Sequence, residues 1–248
     1  MRNIMKVYLL ESPGRIARAV LEQIKETLSE IENPVLGLAT GSTPLRLYGE
    51  MIRDYNNGGF SYKKVRTINL DEYVGLDGSH PQSYRYFMNE NLFDHIDIKK
   101  ENTFVPNGVA KDLDAECQRY SKLVSDNPPD IQILGIGSNG HIAFNEPGSS
   151  FDSTTRVVDL TENTIKDNSR FFDSIDEVPK QAISMGIKDI MKAKSIILIA
   201  TGTSKAKALR RMLTEHYAED SPASVLQMHK NVTIYADESA AHLIPEAF

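Results

Sequence analysis

A chain of 248 residues with a net charge of −6 is long enough to bury one sizeable core, or two small ones at most. It lacks the basic excess that a general nucleic-acid or membrane-surface binder would reward. With 25% charged and 40% hydrophobic residues the composition is that of a soluble globular protein, and no run approaches the ~20 apolar residues of a membrane span or carries a signal-peptide cleavage pattern.

A small anion remains an admissible ligand, because binding one needs only a local positive pocket. Cys117 is the one cysteine, which excludes an intrachain disulfide framework and a thiolate metal cluster. Its setting, DLDAECQRYSKLV, reads as a helix and marks a half-buried structural thiol. Together these features point to a reducing, cytoplasmic compartment.

Taken in chain order, MKVYLL (5–10) reads as a strand. RIARAVLEQIKETLSEI (15–31) follows as a helix with apolar residues at spacings of three and four, and Pro13 sits where a helix start tolerates it. VLGLAT (35–40) is a strand and PLRLYGEMIRDY (44–55) a helix; VRTINL (65–70) is a strand, followed by the helical patterns SYRYFMNENLF (83–93) and DLDAECQRYSKLV (112–124). IQILGIG (131–137) and SIILIAT (195–201) are strands, KAKALRRMLTEH (205–216) a helix and VTIYAD (232–237) the last strand. Several strands are nearly continuous in apolar residues, as strands covered on both faces must be. Strand–helix alternation predicts a single α/β domain, residues 1–248: an open, mostly parallel sheet with helices on both faces, three-layered and Rossmann-like. Segment 145–186 breaks the rhythm with Pro147-Gly148-Ser149-Ser150, Pro179 and the polar stretch TENTIKDNSRFF, and reads as a flap.

Ligands of open α/β sheets sit at the carboxyl ends of the strands, and four strands here end in chemically suggestive runs. They are Thr40-Gly41-Ser42-Thr43-Pro44, Asp71-Glu72-Tyr73, Gly137-Ser138-Asn139-Gly140-His141 and Thr201-Gly202-Thr203-Ser204-Lys205. The first follows a strand and opens a helix; free N–H groups, hydroxyls and the helix dipole make it either an anion site or an ordinary Ser/Thr cap. The last repeats the arrangement and adds a lysine. Neither is a GxxxxGK[ST] loop, which argues against an ATP-driven enzyme.

Gly135-Ile136-Gly137-Ser138-Asn139-Gly140 matches GxGxxG after a strand, with Asp159 about twenty residues on, as a dinucleotide fingerprint requires. That fingerprint also needs a helix from the third glycine, and Asn145-Glu146-Pro147-Gly148 interrupts one within two turns. The segment reads better as a catalytic turn. An imidazole can shuttle a proton both ways, and the Glu146 carboxylate five positions on would fix the tautomer of His141; the alternative is a structural histidine satisfied by backbone. The other histidines, His80, His95, His216, His229 and His242, read as surface or packing residues without partners. Neither HExxH nor a cysteine set is present, so no zinc site is expected. If the strand persists through Asp71 and Glu72, their side chains point to opposite faces and only one reaches the pocket. A desolvated carboxylate there abstracts a carbon-bound proton; otherwise it caps the next turn. Arg170 either clamps a phosphate bidentately or is a solvated helix arginine.

ATGSTPLRLY (39–48), NLDEYVGL (69–76), HPQSYRYFM (80–88), GIGSNGHIAFNEPGSS (135–150) and NSRFF (168–172) together closely resemble the glucosamine-6-phosphate deaminase (isomerase) family, from the first strand to near the C-terminus. The resemblance implies conversion of glucosamine 6-phosphate and water to fructose 6-phosphate and ammonia, without metal or organic cofactor. It implies that His141 opens the sugar ring, that Glu146 and Asn139 orient and polarise it, and that Asp71 takes the C2 proton and returns it at C1. Thr40, Gly41, Ser42, Thr43, Arg170 and Lys205 then bind the phosphate, and the 145–186 flap covers the sugar. Position 139 is Asn where some members carry Asp, and an amide adds no charge beside His141, which leaves Glu146 the main electrostatic support. Regulated members are longer at the C-terminus and carry a basic residue where this chain has Val158, so activation by N-acetylglucosamine 6-phosphate is not expected.

Two other readings compete. A 6-phosphogluconolactonase-like hydrolase uses no C2-proton base and leaves Asp71 unexplained. A non-catalytic sugar-phosphate sensor needs an output element, and no helix-turn-helix or basic stripe is visible. The expected partner is a small-molecule substrate, not nucleic acid or membrane; the sequence leaves the oligomeric state open.

Overall fold

A computed structural model of the chain describes residues 5–162, 165, 172, 174 and 177–245. Along the chain run β1 (Lys6–Leu10), α1 (Pro13–Ser29), β2 (Val35–Leu38), α2 (Leu45–Asn56), β3 (Arg66–Asn69), β4 (Asp71–Tyr73), α3 (Tyr84–Asn91), β5 (Thr103–Phe104), α4 (Leu113–Asp126), β6 (Ile131–Gly135), β7 (Arg156–Asp159), β8 (Gln181–Ser184), α5 (Ile187–Ile190), β9 (Ile196–Ala200), α6 (Ala206–Thr214), β10 (Val232–Asp237) and α7 (Glu238–Ala241).

Seven strands form one sheet in the order β1-β10-β9-β6-β2-β3-β5, every pair parallel. The expected α/β class and all six expected strands are present. The side chains of α1, α2 and α3 cover one face with Ile16, Val20, Ile24, Leu47, Tyr48 and Met88; α4, α5, α6 and α7 cover the other with Tyr120, Val124, Ile190, Leu209, Met212 and Ala240. All of Ile196–Ala200 is buried, which is why β9 reads as an unbroken apolar run. Cys117 lies buried on α4, and burial pushes its thiol up to about 11, as an inert structural cysteine requires. No described helix is long and apolar enough to cross a membrane.

The strand order reverses between β2 and β6. From β2 the chain winds outward through β3 to β5; from β6 it winds the other way through β9 to β10. The crevice at such a reversal is where open α/β sheets bind ligands.

Two expectations are corrected. Asp71-Glu72-Tyr73 does not close β3 but starts a second, antiparallel sheet of three strands in the order β4-β8-β7. Leu70 is the hinge: its N–H donates to Leu38 O at 3.2 Å at the end of the parallel sheet, while its carbonyl accepts from Met185 N at 2.8 Å. Segment 145–186 is also less irregular than its composition suggests, since it contains β7 and β8, paired from Arg156↔Ser184 to Asp159↔Gln181. Short strands alternating on a sheet only three strands wide give weak periodicity, and the Pro/Gly content of the flanking turns hides them.

Candidate functional site

The four chemically suggestive segments follow four neighbouring strands. Thr201–Lys205 comes after β9, Gly137–His141 after β6, Thr40–Thr43 after β2 and Asp71 after β3, and β9-β6-β2-β3 are contiguous in the sheet. The reversal point lies in their middle.

Thr40–Thr43 turns through Gly41, whose φ of +84° suits only glycine at low cost, and α2 follows with Pro44 as its N-cap residue. A Cβ on Gly135 would stand 3.3 Å from Thr43 Oγ1, so the absence of a side chain at the end of β6 lets the anion loop pack across the crevice. A cleft of about 260 Å³ opens beside this loop, lined by Ser42, Thr43, Arg46, Thr201 and the first turn of α1. A wider groove of about 540 Å³ is lined by Glu22, Lys25, Glu26, Ser29, Gly59 and Phe60, and none of the strand-end loops borders it. Lys205 closes the loop after β9. It is half-buried, and desolvation lowers its ammonium below the usual lysine range, so a bound anion would find a cation that water has not fully screened.

Asp71 is 6% exposed. Burial, with the Glu72 charge beside it, pushes its carboxyl up to about 8. No described residue donates a hydrogen bond to it. The phenols of Tyr48, Tyr73, Tyr84 and Tyr120 all sense its charge, so the carboxyl sits in an aromatic, poorly hydrated surround. Such a group takes a proton from carbon at near-neutral pH.

The sequence reading missed what Glu72 does. Its carboxylate accepts from Tyr73 N and Tyr84 N at 2.8 Å and from Arg85 N at 2.9 Å, while Ser83 Oγ accepts from Tyr86 N at 3.0 Å. The first orphan N–H groups of α3 are thereby satisfied by one acid and one cap. Burial pushes Glu72 up to about 7 against those three bonds and the Arg85 charge. Helix α3 in turn brings Tyr84 to Tyr73, hydroxyl to hydroxyl at 3.3 Å, and Tyr84 also meets the Thr40 hydroxyl. The acids do point apart, as strand geometry dictates. Ser83 before an aromatic helical run was the available signal for this cap.

After β6 the chain makes the turn that carries His141. Gly137 N donates to His141 O at 2.9 Å and Gly140 N to Gly137 O at 3.0 Å; a Cβ on Gly137 would lie 2.4 Å from the His141 ring. The glycine pattern is therefore a seat for the imidazole. No helix follows Gly140: the chain forms the small Ile142↔Asn145 bridge instead. His141 Nδ1 lies 3.4 Å from Glu146 Oε1, with the two side chains 35% and 22% exposed. The pair is in contact distance but short of hydrogen-bond alignment, since Nδ1 has no hydrogen-bond partner among the described residues. Asn139 ties both ends together, donating from Nδ2 to Glu146 Oε2 at 2.7 Å and accepting from His141 N at 3.2 Å.

The buried Asn145 was also missed. It donates to Ile142 O at 3.0 Å and Met185 O at 2.8 Å and accepts from Arg156 Nη1 at 2.9 Å, which pins the turn to the small sheet.

Arg170 lies outside the described residues, as does part of the 145–186 segment expected to form the flap. Among the described residues no group of three His, Cys, Asp or Glu gathers to hold a metal ion. Four of the five remaining histidines do have partners, contrary to expectation. His229 is buried and bonded through both ring nitrogens, to Asn231 and to Ala193 O at 2.7 Å; His80, His95 and His242 bond nearby backbone. All serve packing or turns.

Residues 12–235 match the family model described as glucosamine-6-phosphate isomerases/6-phosphogluconolactonase. A glucosamine-6-phosphate deaminase of Clostridium perfringens (strain SM101 / Type A) is 48% identical over 241 residues, covering 97% of this chain and 100% of that protein. One from Geobacillus sp. (strain WCH70) is 49% identical over 237 residues, covering 95% and 93%. Among solved structures, a monomeric glucosamine-6-phosphate deaminase superposes with a TM-score of 0.93 at 47% identity, covering 96% of this chain and all of that one. The 6-phosphogluconolactonase of Trypanosoma brucei superposes at 0.79 with 20% identity, covering 98% of this chain and 100% of that one, and shares the fold.

Proposed function

The chain belongs to the glucosamine-6-phosphate isomerase/6-phosphogluconolactonase family, and we propose that it is a glucosamine-6-phosphate deaminase, converting glucosamine 6-phosphate and water to fructose 6-phosphate and ammonia in amino-sugar breakdown. The observation that carries this reading is Asp71: a buried carboxyl without a hydrogen-bond donor among the described residues, raised to about 8, just past β3 where β4 begins, beside the reversal point. Lactone hydrolysis breaks no C–H bond and so uses no C2-proton base. Identity near 48% to deaminases against 20% to a lactonase supports the same choice.

The substrate phosphate sits on Thr40–Thr43 and Lys205, with Arg170 as its third contact. His141 moves the O1 proton to O5, opening the ring to the aldehyde. Glu146 stabilises the imidazolium formed in passing, and Asn139 holds that carboxylate in place. Asp71 then takes the C2 proton as O1 gains one, giving an enolamine. Returned at C1, the Asp71 proton leaves a C2 iminium, which water hydrolyses to the ketone with release of ammonia. Residues 1–248 act as one domain, with a flap within 145–186. The chain's one buried thiol fits a reducing cytoplasm.

The test is to incubate the protein with glucosamine 6-phosphate and follow ammonia and fructose 6-phosphate together, with 6-phosphogluconolactone as a parallel substrate. Both products appearing, and vanishing in Asp71→Asn, establishes the reading; hydrolysis of the lactone alone replaces it.

A further inference from the structure

We infer that the segment 217–224, which follows α6, is the positioning element for the His141–Glu146 turn, and that Glu219 is the residue by which it holds the Glu146 end. The inference rests on the turn being the ring-opening machinery proposed above. The turn is unusual in its backbone. Gly140 (φ +89°), Ala143 (φ +51°) and Gly148 (φ +93°) are all left-handed, and a non-glycine residue such as Ala143 stays there only when its surroundings over-determine it.

Asn145 pins the middle of the turn to the small sheet, and segment 217–224 holds its two ends. Before His141, Ala223 N donates to Gly140 O at 2.8 Å, and a Cβ on Gly140 would come within 3.0 Å of the buried Ser221 hydroxyl. After Glu146, Gly148 N donates to Glu219 O at 2.8 Å and Phe151 N donates to the Glu219 carboxylate at 3.1 Å. The Phe151 and Tyr217 rings lie 6.2 Å apart. The segment therefore grips the turn on both sides of His141 and Glu146.

The same segment is fixed to α6. Arg211 reaches Asp220 Oδ2 at 2.7 Å and Asp220 O at 3.2 Å, and just beyond the segment Gln227 Nε2 donates to Met212 O at 2.7 Å and Glu215 O at 2.8 Å. Helix α6 begins at Ala206, one residue after Lys205. A continuous path thus runs from Lys205 through α6 and Arg211–Asp220 to Glu219 and the turn. Anchoring the phosphate and aiming His141 at the ring oxygen are one rigid construction, and misplacement of about 1 Å at such a pair costs up to about 10²-fold in rate.

The experiment compares Glu219→Ala with Glu219→Gln. Glu219 is exposed, so neither change removes core packing, and the glutamine keeps an oxygen that accepts from Phe151 N. In Glu219→Ala, kcat for glucosamine 6-phosphate falls by about fivefold or more with KM within about twofold, and amide exchange of the 146–151 peptide accelerates while that of β9 does not. Glu219→Gln restores both. Arg211→Ala shifts kcat and exchange in the same direction, and the double variant Arg211→Ala/Glu219→Ala loses less than the product of the single losses, because both act through one strut. Unchanged exchange at 146–151 in Glu219→Ala, or a rise in KM with kcat intact, overturns the inference. A wild-type protein without deaminase activity overturns the proposed function instead, and the exchange measurement still decides whether Glu219 holds the turn.

Discussion

Asp71 and Glu72 are adjacent acids on one short strand with opposite fates: Glu72 accepts three backbone N–H bonds, while Asp71 accepts none from the described residues. Both are buried. One acid is spent on fixing a helix, and the other is left with a proton affinity suited to chemistry.

Asp71→Asn is expected to reduce deamination by about 10³-fold or more, the scale of a lost general base, as read by ammonia release. It is also expected to stabilise the fold. Asp71 holds its proton up to about pH 8 when folded but only in the ordinary carboxylate range when unfolded. Between those limits folding takes up a proton, and stability falls as pH rises. The variant loses that slope, so its Tm advantage grows from pH 5 to pH 8; each ~1 kcal/mol gained raises Tm by about 2–4 °C in a chain of this size. A variant no more stable than wild type at pH 8 contradicts the buried-base assignment.

The Glu72 charge helps hold Asp71 high. With Glu72 itself pushed to about 7, it is ionised through most of the Asp71 titration. The rising limb of kcat/KM for wild type therefore lies near pH 8, and Glu72→Gln moves it to lower pH. The same change leaves one α3 amide short of an acceptor, at a cost of about 1–3 kcal/mol. A pH–rate profile with an unmoved limb would show that Glu72 is only a cap.

Glu146→Gln is expected to cut turnover far more than Asn139→Asp, because the carboxylate at 3.4 Å is what answers the charge forming on His141. Aspartate at 139 still accepts from His141 N, but it sets a second carboxyl oxygen against Glu146 Oε2, now 2.7 Å from the Asn139 amide. The two acids then share a proton, and the acidic side of the pH–rate profile moves upward. Equal losses in the two variants would remove Glu146 from its leading role.

Lys205→Ala is expected to raise KM by about 10–100-fold, the worth of a charge-assisted bond to phosphate, with a smaller change in kcat. Inorganic phosphate, a competitive inhibitor of wild type, loses affinity by the same factor. A pure kcat effect would place Lys205 elsewhere than on the phosphate.

Val158 is half-buried against the cluster of Tyr73, Leu160 and Ala182, where it presents no charge to an anionic effector. Rate curves are expected to be hyperbolic and indifferent to N-acetylglucosamine 6-phosphate. A sigmoidal curve relieved by that compound refutes this.

Local pattern alone carries the α/β class, six of the seven strands of the main sheet and the four strand-end segments, because buried parallel strands are written as apolar runs and helices as a 3.6-residue period. It also marked Asp71 and His141, since a strand end and a glycine turn leave local signatures. The second sheet was not legible: β4, β7 and β8 are three or four residues long, and their pairing is a long-range contact that no local pattern encodes. The same holds for Glu72, Asn145 and Glu219, whose partners lie across the fold and whose roles depend on which amide stands within about 3 Å. The raised affinity of Asp71 for its proton belongs to tertiary structure too. Desolvation is a property of everything packed around a carboxyl, and only the closed fold brings four tyrosines and a neighbouring charge to bear on it.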